Sequence, residues 1–355
     1  MGNETRVTQV IRVPLKECER VMATLRKLGA IDPGFTPKVE GEFLLIPVLD
    51  QRGLQRDAQL GSLKLVSRQL RARARRPRSI KEALSLKLKP DEVDRITRSF
   101  DIVGDIAVIS PRENTSHYKD QVVDALLSVH PNVRMVLAKV SPLSGKERVA
   151  SYERWYGSGT TETQYREHGC VYHLDLTKTF FTPRLSTERK RVASLVEPDE
   201  TVCDLFAGVG PFSVLMAKVQ PASRVKACDI SPEAIAYLRA NVRLNGVSDR
   251  VEIFLGDARE ESRTSLRGAC DRVVMNLPYG AQLYLSAAST SLKPSGGIVH
   301  LYLFRKESQP LEERISSVTG ELRSLGWKDV EVLFHRRIRE IGPRTYNEVM
   351  DVRVS

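Results

Sequence analysis

The sequence predicts an α/β protein in which a doubly wound parallel sheet fills the C-terminal half and two smaller α/β modules precede it. Three observations carry this reading. From about Val171 onward, strand-like apolar runs alternate with helical periodicity at the spacing of successive βα units. Three acids, Asp204, Asp229 and Asp257, close three successive strand runs. The 355 residues, 41% of them hydrophobic, are enough for two or three compact cores.

In chain order, residues 1–70 read as a small N-terminal module, with strands at Val10 to Val13 and Phe43 to Val48 around a helix from Glu17 to Leu28. The stretch from Gln51 to Arg78 has little apolar periodicity and ends in Arg71, Arg73, Arg75, Arg76 and Arg78 beside Pro77, so it predicts a linker or exposed helix, with the boundary at 71–80. Residues 81–170 form a second module, with strands at Ile106 to Ile109 and Val133 to Lys139 and a helix from Tyr118 to Leu127. Residues 171–355 hold the large sheet. Its strands are Thr201 to Asp204, Arg224 to Asp229, Val251 to Leu255, Arg272 to Met275 and Ile298 to Leu303, and Val330 to Phe334 with Val349 to Val354 form a closing antiparallel pair. Helices are expected at Pro211 to Val219 and at Pro232 to Leu244, the latter with Ser231 as N-cap and Gly246 past its end.

The formal net charge of +11 favours a polyanionic partner, without choosing among RNA, DNA and an acidic membrane surface. Five scattered cysteines with no Cys-x-x-Cys pair signal neither a disulfide framework nor a zinc site, so a reducing setting and no metal are expected. No apolar run reaches membrane-spanning length and Met1 to Thr8 is polar, which leads us to expect a cytoplasmic protein.

The stretch Asp204-Leu-Phe-Ala-Gly-Val-Gly-Pro-Phe-Ser213 lies between a strand and a helix, where Gly208 and Gly210 permit a tight turn and close approach of a ligand. The third glycine of the dinucleotide pattern is missing: position 213 is Ser, and Phe212 would crowd a pyrophosphate. Asp229 is placed to accept from ribose hydroxyls and Asp257 from an adenine amine. Asn276-Leu-Pro-Tyr279 follows the fourth strand, where an amide and a proline-fixed carbonyl can read the edge of a flat base. The order of strand, acid, Gly-x-Gly, strand, acid, strand, Gly-Asp, strand and Asn-x-Pro is similar to that of class I (Rossmann-like) methyltransferases.

The segment from His173 to Arg191, which contains Phe-Phe-Thr-Pro-Arg184 and Thr-Glu188-Arg, resembles the archaeal and eukaryotic tRNA guanine-37 N1-methyltransferase family. So do Asp204 to Ser213, Asn276-Leu-Pro278, Arg148 with Trp155 to Gly157, Thr163 to Gly169, and Gly342-Pro-Arg344. The likeness covers about 145 to 355, and more loosely the first 50 residues. It implies S-adenosylmethionine as cofactor and tRNA as partner, with no obligatory protein partner. Three modules in tandem fit a monomer wrapping the tRNA. It further implies Glu188 as general base, Arg148 facing the guanine O6, and Asn276 orienting the guanine. Arg189, Asp204, Phe206, Gly208, Gly210, Asp229, Ile230, Asp257, Ala258 and Asn276 would surround the cofactor. Phe180, Arg184, Pro278, Tyr279 and Arg344 would meet the substrate, Phe180 standing where some members have tyrosine.

The rivals are a wybutosine-pathway aminocarboxypropyl transferase, an enzyme that also methylates a later wyosine intermediate, a methyltransferase of exocyclic amines, and an RNA-binding protein without turnover. Phe-Thr-Pro-Arg184 with Asn-Leu-Pro278 favours methyl transfer, and Glu188 with Arg148 favours an N1 target because charge moves onto O6 there.

Overall fold

The computed structural model describes residues 5–49, 60, 63–71, 77–96, 99–111, 115–141, 150–221, 223–277 and 279–355. The chain divides into two compact units, Met1–Ser79 and Ile80–Ser355.

In the first unit β1 (Thr5–Pro14), α1 (Cys18–Lys27), β2 (Lys38–Glu40), β3 (Phe43–Pro47) and β4 (Leu65–Arg71) build an antiparallel sheet in the order β2-β3-β1-β4. The two-residue period sorts its faces. Ile11, Val13 and Ile46 pack with Val21 and Leu25 of α1, while Val10, Leu45 and Leu70 cluster separately. β4 corrects the expectation of a linker or exposed helix from Gln51 to Arg78, since Leu65–Arg71 pairs with Thr5–Ile11. Its pattern is faint because it is an edge strand in which only Leu70 is fully buried and Ser67 to Gln69 face solvent. Arg71 ends β4, and Arg73, Arg75 and Arg76 lie outside the described residues.

The second unit opens with α2 (Ile80–Ser85), α3 (Pro90–Arg95), β5 (Phe100–Val103), β6 (Ile106–Ile109), α4 (Lys119–Val129), β7 (Met135–Lys139) and β8 (Tyr152–Tyr156), the strands ordered β5-β6-β7-β8. β6 and β7 are almost wholly apolar because both faces are covered. Ala107, Ile109, Val136 and Ala138 pack with the helices, whereas Ile106, Met135 and Leu137 join the large core of the unit.

A hairpin of β9 (Glu162–Glu167) and β10 (Cys170–Asp175) leads to α5 (Ser186–Ser194) and then to the main sheet. This comprises β11 (Thr201–Asp204), α6 (Pro211–Val219), β12 (Arg224–Asp229), α7 (Pro232–Leu244), β13 (Val251–Leu255), α8 (Ala258–Glu261), β14 (Arg272–Met275), α9 (Leu285–Ser291), β15 (Gly297–Lys306), α10 (Leu311–Ser324), β16 (Val330–Gly342) and β17 (Thr345–Val354). The seven strands lie in the order β13-β12-β11-β14-β15-β17-β16, parallel through β15 and antiparallel beyond it. The closing pair runs well past the expected Val330 to Phe334 and carries register shifts at Val332/Phe334, Arg337/Arg339 and Glu340/Gly342.

Ser231 caps α7 by accepting from the Ala234 N–H at 3.2 Å, with Pro232 in the first turn. At the other end, two asparagines one turn apart take the place of a neighbouring strand for β10. Asn241 accepts the His173 N–H at 2.7 Å and donates to the carbonyls of His173 and Val209 at 3.0 and 2.9 Å. Asn245 accepts from Val171 at 2.9 Å and donates to its carbonyl at 2.7 Å. Asn241 is fully buried, so its replacement strands several backbone groups away from water. Asn241→Leu is expected to lower stability by about 2–4 kcal/mol in urea unfolding, and an unchanged midpoint would remove this clamp from the account.

Candidate active site

β11 lies between β12 and β14, and at such a reversal of strand order the connections diverge and open a crevice at the carboxyl ends of the strands. A cavity of about 550 Å³ occupies that place, a volume suited to a cofactor-sized molecule. Phe206 to Gly208 line it after β11, Asp229 to Ser231 after β12, Gly256 to Arg259 after β13, and Asn276, Leu277 and Tyr279 after β14, with Thr179 to Thr182 opposite.

Gly208 has φ +56, and a Cβ there would meet nothing closer than the Phe180 carbonyl at 3.9 Å, so its backbone faces the open cavity. Its N–H donates to Asp229 Oδ2 at 2.7 Å, and the Ser231 N–H donates to Oδ1 at 2.9 Å, which fixes the Asp229 carboxylate at the wall. Gly210 serves packing instead: at φ +89 its Cβ would lie 2.3 Å from Leu238 Cδ1. Asp204 stands behind the wall, fully buried, accepting from the Ser213 hydroxyl at 2.7 Å, while its Oδ1 has no hydrogen-bond partner. Burial pushes this carboxyl up to about 7. The serine that replaces a third glycine is therefore a ligand of the motif's first acid.

Asp257 caps α8 through the Arg259 N–H at 2.9 Å and is bridged by the Arg259 guanidinium at 3.0 and 2.7 Å. That guanidinium lies 5.0 Å from the Tyr284 ring, which in turn meets Phe206 edge-on at 5.0 Å. Arg259 and Tyr284 escape sequence reasoning; a cation two residues after a strand-end acid is the only trace. Ile230 and Ala258 complete this side of the wall.

On the other side, Asn276 lines the cavity with a buried Oδ1 that has no hydrogen-bond partner. Phe180 and Tyr279, 40% and 67% exposed, stand at its mouth as flat apolar surfaces. Arg189 also reaches the wall, but its guanidinium is held by both oxygens of Glu167 and by the Thr182 carbonyl. Among the described residues no cluster of His, Cys, Asp and Glu could hold a metal ion, and no helix is long and apolar enough to cross a membrane.

Other expected site residues lie away from the cavity or outside the described residues. Arg148 and Pro278 fall outside the described residues. Arg344 is exposed in the β16–β17 turn, 3.8 Å from Glu307, and Arg184 pairs with Asp101 at 2.6 Å. The structure does not bring Glu188 to the cavity wall, although its neighbours Leu185 and Arg189 line it. Glu188 is buried on the flank of α5 that faces the antiparallel edge of the sheet. There Arg191 donates to Oε2 at 3.0 Å, Tyr302 to the same oxygen at 3.3 Å, and Arg336 to Oε1. Arg191 continues to Asp351 at 2.5 and 3.2 Å, and Asp351 to His300 Nδ1 at 2.7 Å. Arg272, which can only donate, meets His300 Nε2 at 2.9 Å and Glu200 at 2.9 Å, so His300 is a neutral ring carrying its hydrogen on Nδ1. Burial lowers the His300 pKa, in keeping with this form.

The strand order, the acid and glycine turn under β11 and the Asn276 loop define a class I methyltransferase. Residues 163–328 match the TRM5/TYW2 methyltransferase domain, 80–160 the TYW2 N-terminal domain and 11–53 the tRNA methyltransferase 5 N-terminal domain. The chain is 40% identical to the tRNA (guanine(37)-N(1))-methyltransferase Trm5b of Pyrococcus abyssi, over 98% of this chain and 100% of that protein. It is 30% identical to the tRNA(Phe) (4-demethylwyosine(37)-C(7)) aminocarboxypropyltransferase of Pyrococcus horikoshii, over 80% of this chain and 99% of that one. A solved complex of aTrm5 and tRNALeu superposes with a TM-score of 0.77 at 27% identity, covering 98% of this chain and 99% of that chain. The chain belongs to the TRM5/TYW2 methyltransferase family and carries the Trm5 type of N-terminal domain.

The residues present fit S-adenosylmethionine, the cofactor of this family. Gly208 leaves its backbone open to the cavity beside the fixed Asp229 carboxylate, and Asp204 holds that turn from behind through Ser213. The raised Asp204 pKa has a consequence for stability. Its folded value near 7 exceeds the ordinary 3.8, so the folded chain keeps a proton that the unfolded chain releases, and stability falls as pH rises between those values. Asp204→Asn is expected to flatten that fall, which is on the order of a few kcal/mol, in urea unfolding at several pH values. Calorimetry should show weaker S-adenosylmethionine binding by the same variant.

Proposed function

We propose that this enzyme methylates N1 of guanosine 37 in the anticodon loop of tRNA, in the cytoplasm. The observation that carries the reading is the buried, unpartnered Asn276 Oδ1, set between the crevice under Gly208 and the aromatic mouth of Phe180 and Tyr279. An unsatisfied side-chain acceptor on a residue that lines the cavity is suited to the N–H groups on a guanine edge, and Phe180 offers a platform for the ring. Asp229 would hold the ribose of S-adenosylmethionine, with the Gly208 turn beside its amino acid end. When bound, the cofactor supplies an electrophilic methyl group.

Guanine N1 is a nucleophile only after it loses its proton, so a proton acceptor is required. Glu188 takes that role in this reading, which requires the oxygen now held by Arg336 to be freed and turned from the sheet edge towards the cavity beside Leu185 and Arg189. Arg336 is the contact that can leave, since its side chain is 42% exposed, whereas Arg191 is 18% exposed and Tyr302 is buried. Arg148 stabilises the charge that moves onto O6. The resemblance to an aminocarboxypropyl transferase is the second reading, supported by its 30% identity. That relative matches 80% of this chain whereas the Pyrococcus abyssi methyltransferase matches 98%.

The deciding experiment incubates purified protein with labelled S-adenosylmethionine and unmodified tRNA bearing G37 or A37, followed by nuclease digestion and mass spectrometry. One added methyl on G37 and none on A37 is expected; an added aminocarboxypropyl mass, or equal label on A37, overturns the proposal. Glu188→Gln is expected to slow single-turnover methylation by about 10² to 10⁴-fold while tRNA affinity is retained. A variant that loses thermal stability but keeps its rate would leave Glu188 a purely structural ion-pair partner.

A further inference from the structure

Two cations of the second unit, Lys139 and Arg339, are half-buried and lie beside a third, Arg184, with a single carboxylate among them. Strand pairing puts Asp101 beside Val108 and Lys139 beside Tyr152, and the two-residue period sets Lys139 on the same sheet face as Leu137. This is the face whose Val108, Leu137 and Tyr152 share a core with Phe181, Phe334 and Ile338. Arg184, in the turn between the cavity residues Thr182 and Leu185, donates to Asp101 at 2.6 Å and to Ser99 at 3.2 Å. Arg339 follows Ile338 at a register shift of β16, where a bulge re-aims the side chains. Its Nε is buried with no hydrogen-bond partner.

Lys139 and Arg339 have no acid within ion-pair reach among the described residues, and Asp101 is already engaged by Arg184. Burial, with the Arg339 charge beside it, holds the Lys139 amine below its ordinary range. Burial and Arg184 likewise draw Arg339 down against the pull of Asp101. Arg184 and Arg339 share Asp101 while Lys139 faces Arg339, so the cations repel one another, and an anion that brings its own charge relieves the repulsion. Oxygen-rich, multiply accepting anions match two guanidinium forks and an ammonium.

We propose that Lys139, Arg184 and Arg339 form a binding site for a backbone phosphodiester of the RNA, next to the nucleotide that enters the cavity. The proposal rests on the tRNA reading above, and Arg184 sets the position because Thr182 and Leu185 on either side of it line the cavity.

The test measures tRNA affinity of the full chain, its Lys139→Ala and Arg339→Ala variants, and an Arg353→Ala control at several salt concentrations. Arg353 is exposed and paired with Glu331 at 3.4 Å, away from the site. Each site variant is expected to weaken binding about tenfold and to reduce the slope of log affinity against log salt by about one, with the control unchanged. The melting temperature of the free site variants should hold or rise, because a repulsive cation has been removed. An unchanged slope, or a lowered melting temperature with unchanged affinity, overturns the phosphate site. The two readings fail separately. A wild-type chain that binds and methylates G37 while the variants keep its salt slope refutes only the phosphate site, whereas a wild-type chain that modifies no G37 refutes the reading beneath it.

Discussion

Everything functional in this molecule depends on the divergence of the chain on either side of β11. Because β12 and β14 flank it and the connections leave in opposite directions, four strand ends present their turns to one crevice. The Gly208 N–H joins two of those turns by donating to Asp229, so the backbone that faces the cavity and the carboxylate beside it are a single hydrogen-bonded unit. Asn276 enters from the third side with its oxygen unmatched. A polar atom buried in that way is costly unless a ligand satisfies it, which makes the orphan more informative than the cavity's volume.

The parallel sheet was the most legible part of the sequence, and the reason is physical. Buried strands such as Val273 to Met275 are apolar on both faces, and α7 announces its start through Ser231 and Pro232, so local chemistry and tertiary fold agree. β4 shows the converse: an edge strand with one buried side chain leaves almost no pattern to read. Among site residues, those at strand ends were legible because position on the sheet dictates exposure to the crevice. The surroundings of Glu188 were not. α5 offers only Val192 and Ala193 as apolar anchors, and what buries Glu188 is Tyr302, Arg336 and Asp351, more than a hundred residues downstream. Helical periodicity carries no information about partners so remote.

The two arrays of charge in the second unit obey opposite rules. From Glu188 through Arg191, Asp351, His300 and Arg272 to Glu200, every buried donor faces an acceptor. Desolvating such groups is expensive, and the recompense is geometric: α5 is held in one register against β15 and β17. Around Arg339 the matching stops. A fold able to satisfy six polar side chains in succession leaves two cations without an acid where solvent still reaches, and that contrast separates a structural network from a place prepared for a charged guest.

The same contrast bears on Glu188 itself. A carboxylate engaged by two arginines and a tyrosine has both oxygens occupied and none open to a substrate. Methyl transfer by the proposed route therefore needs one contact open, and Arg336 is the most exposed of the three. Arg336 and Arg339 are three residues apart on β16, on either side of the bulge at Ile338. One strand therefore supplies both the cover of the carboxylate and a cation without an acid, so the antiparallel hairpin does more than close the sheet.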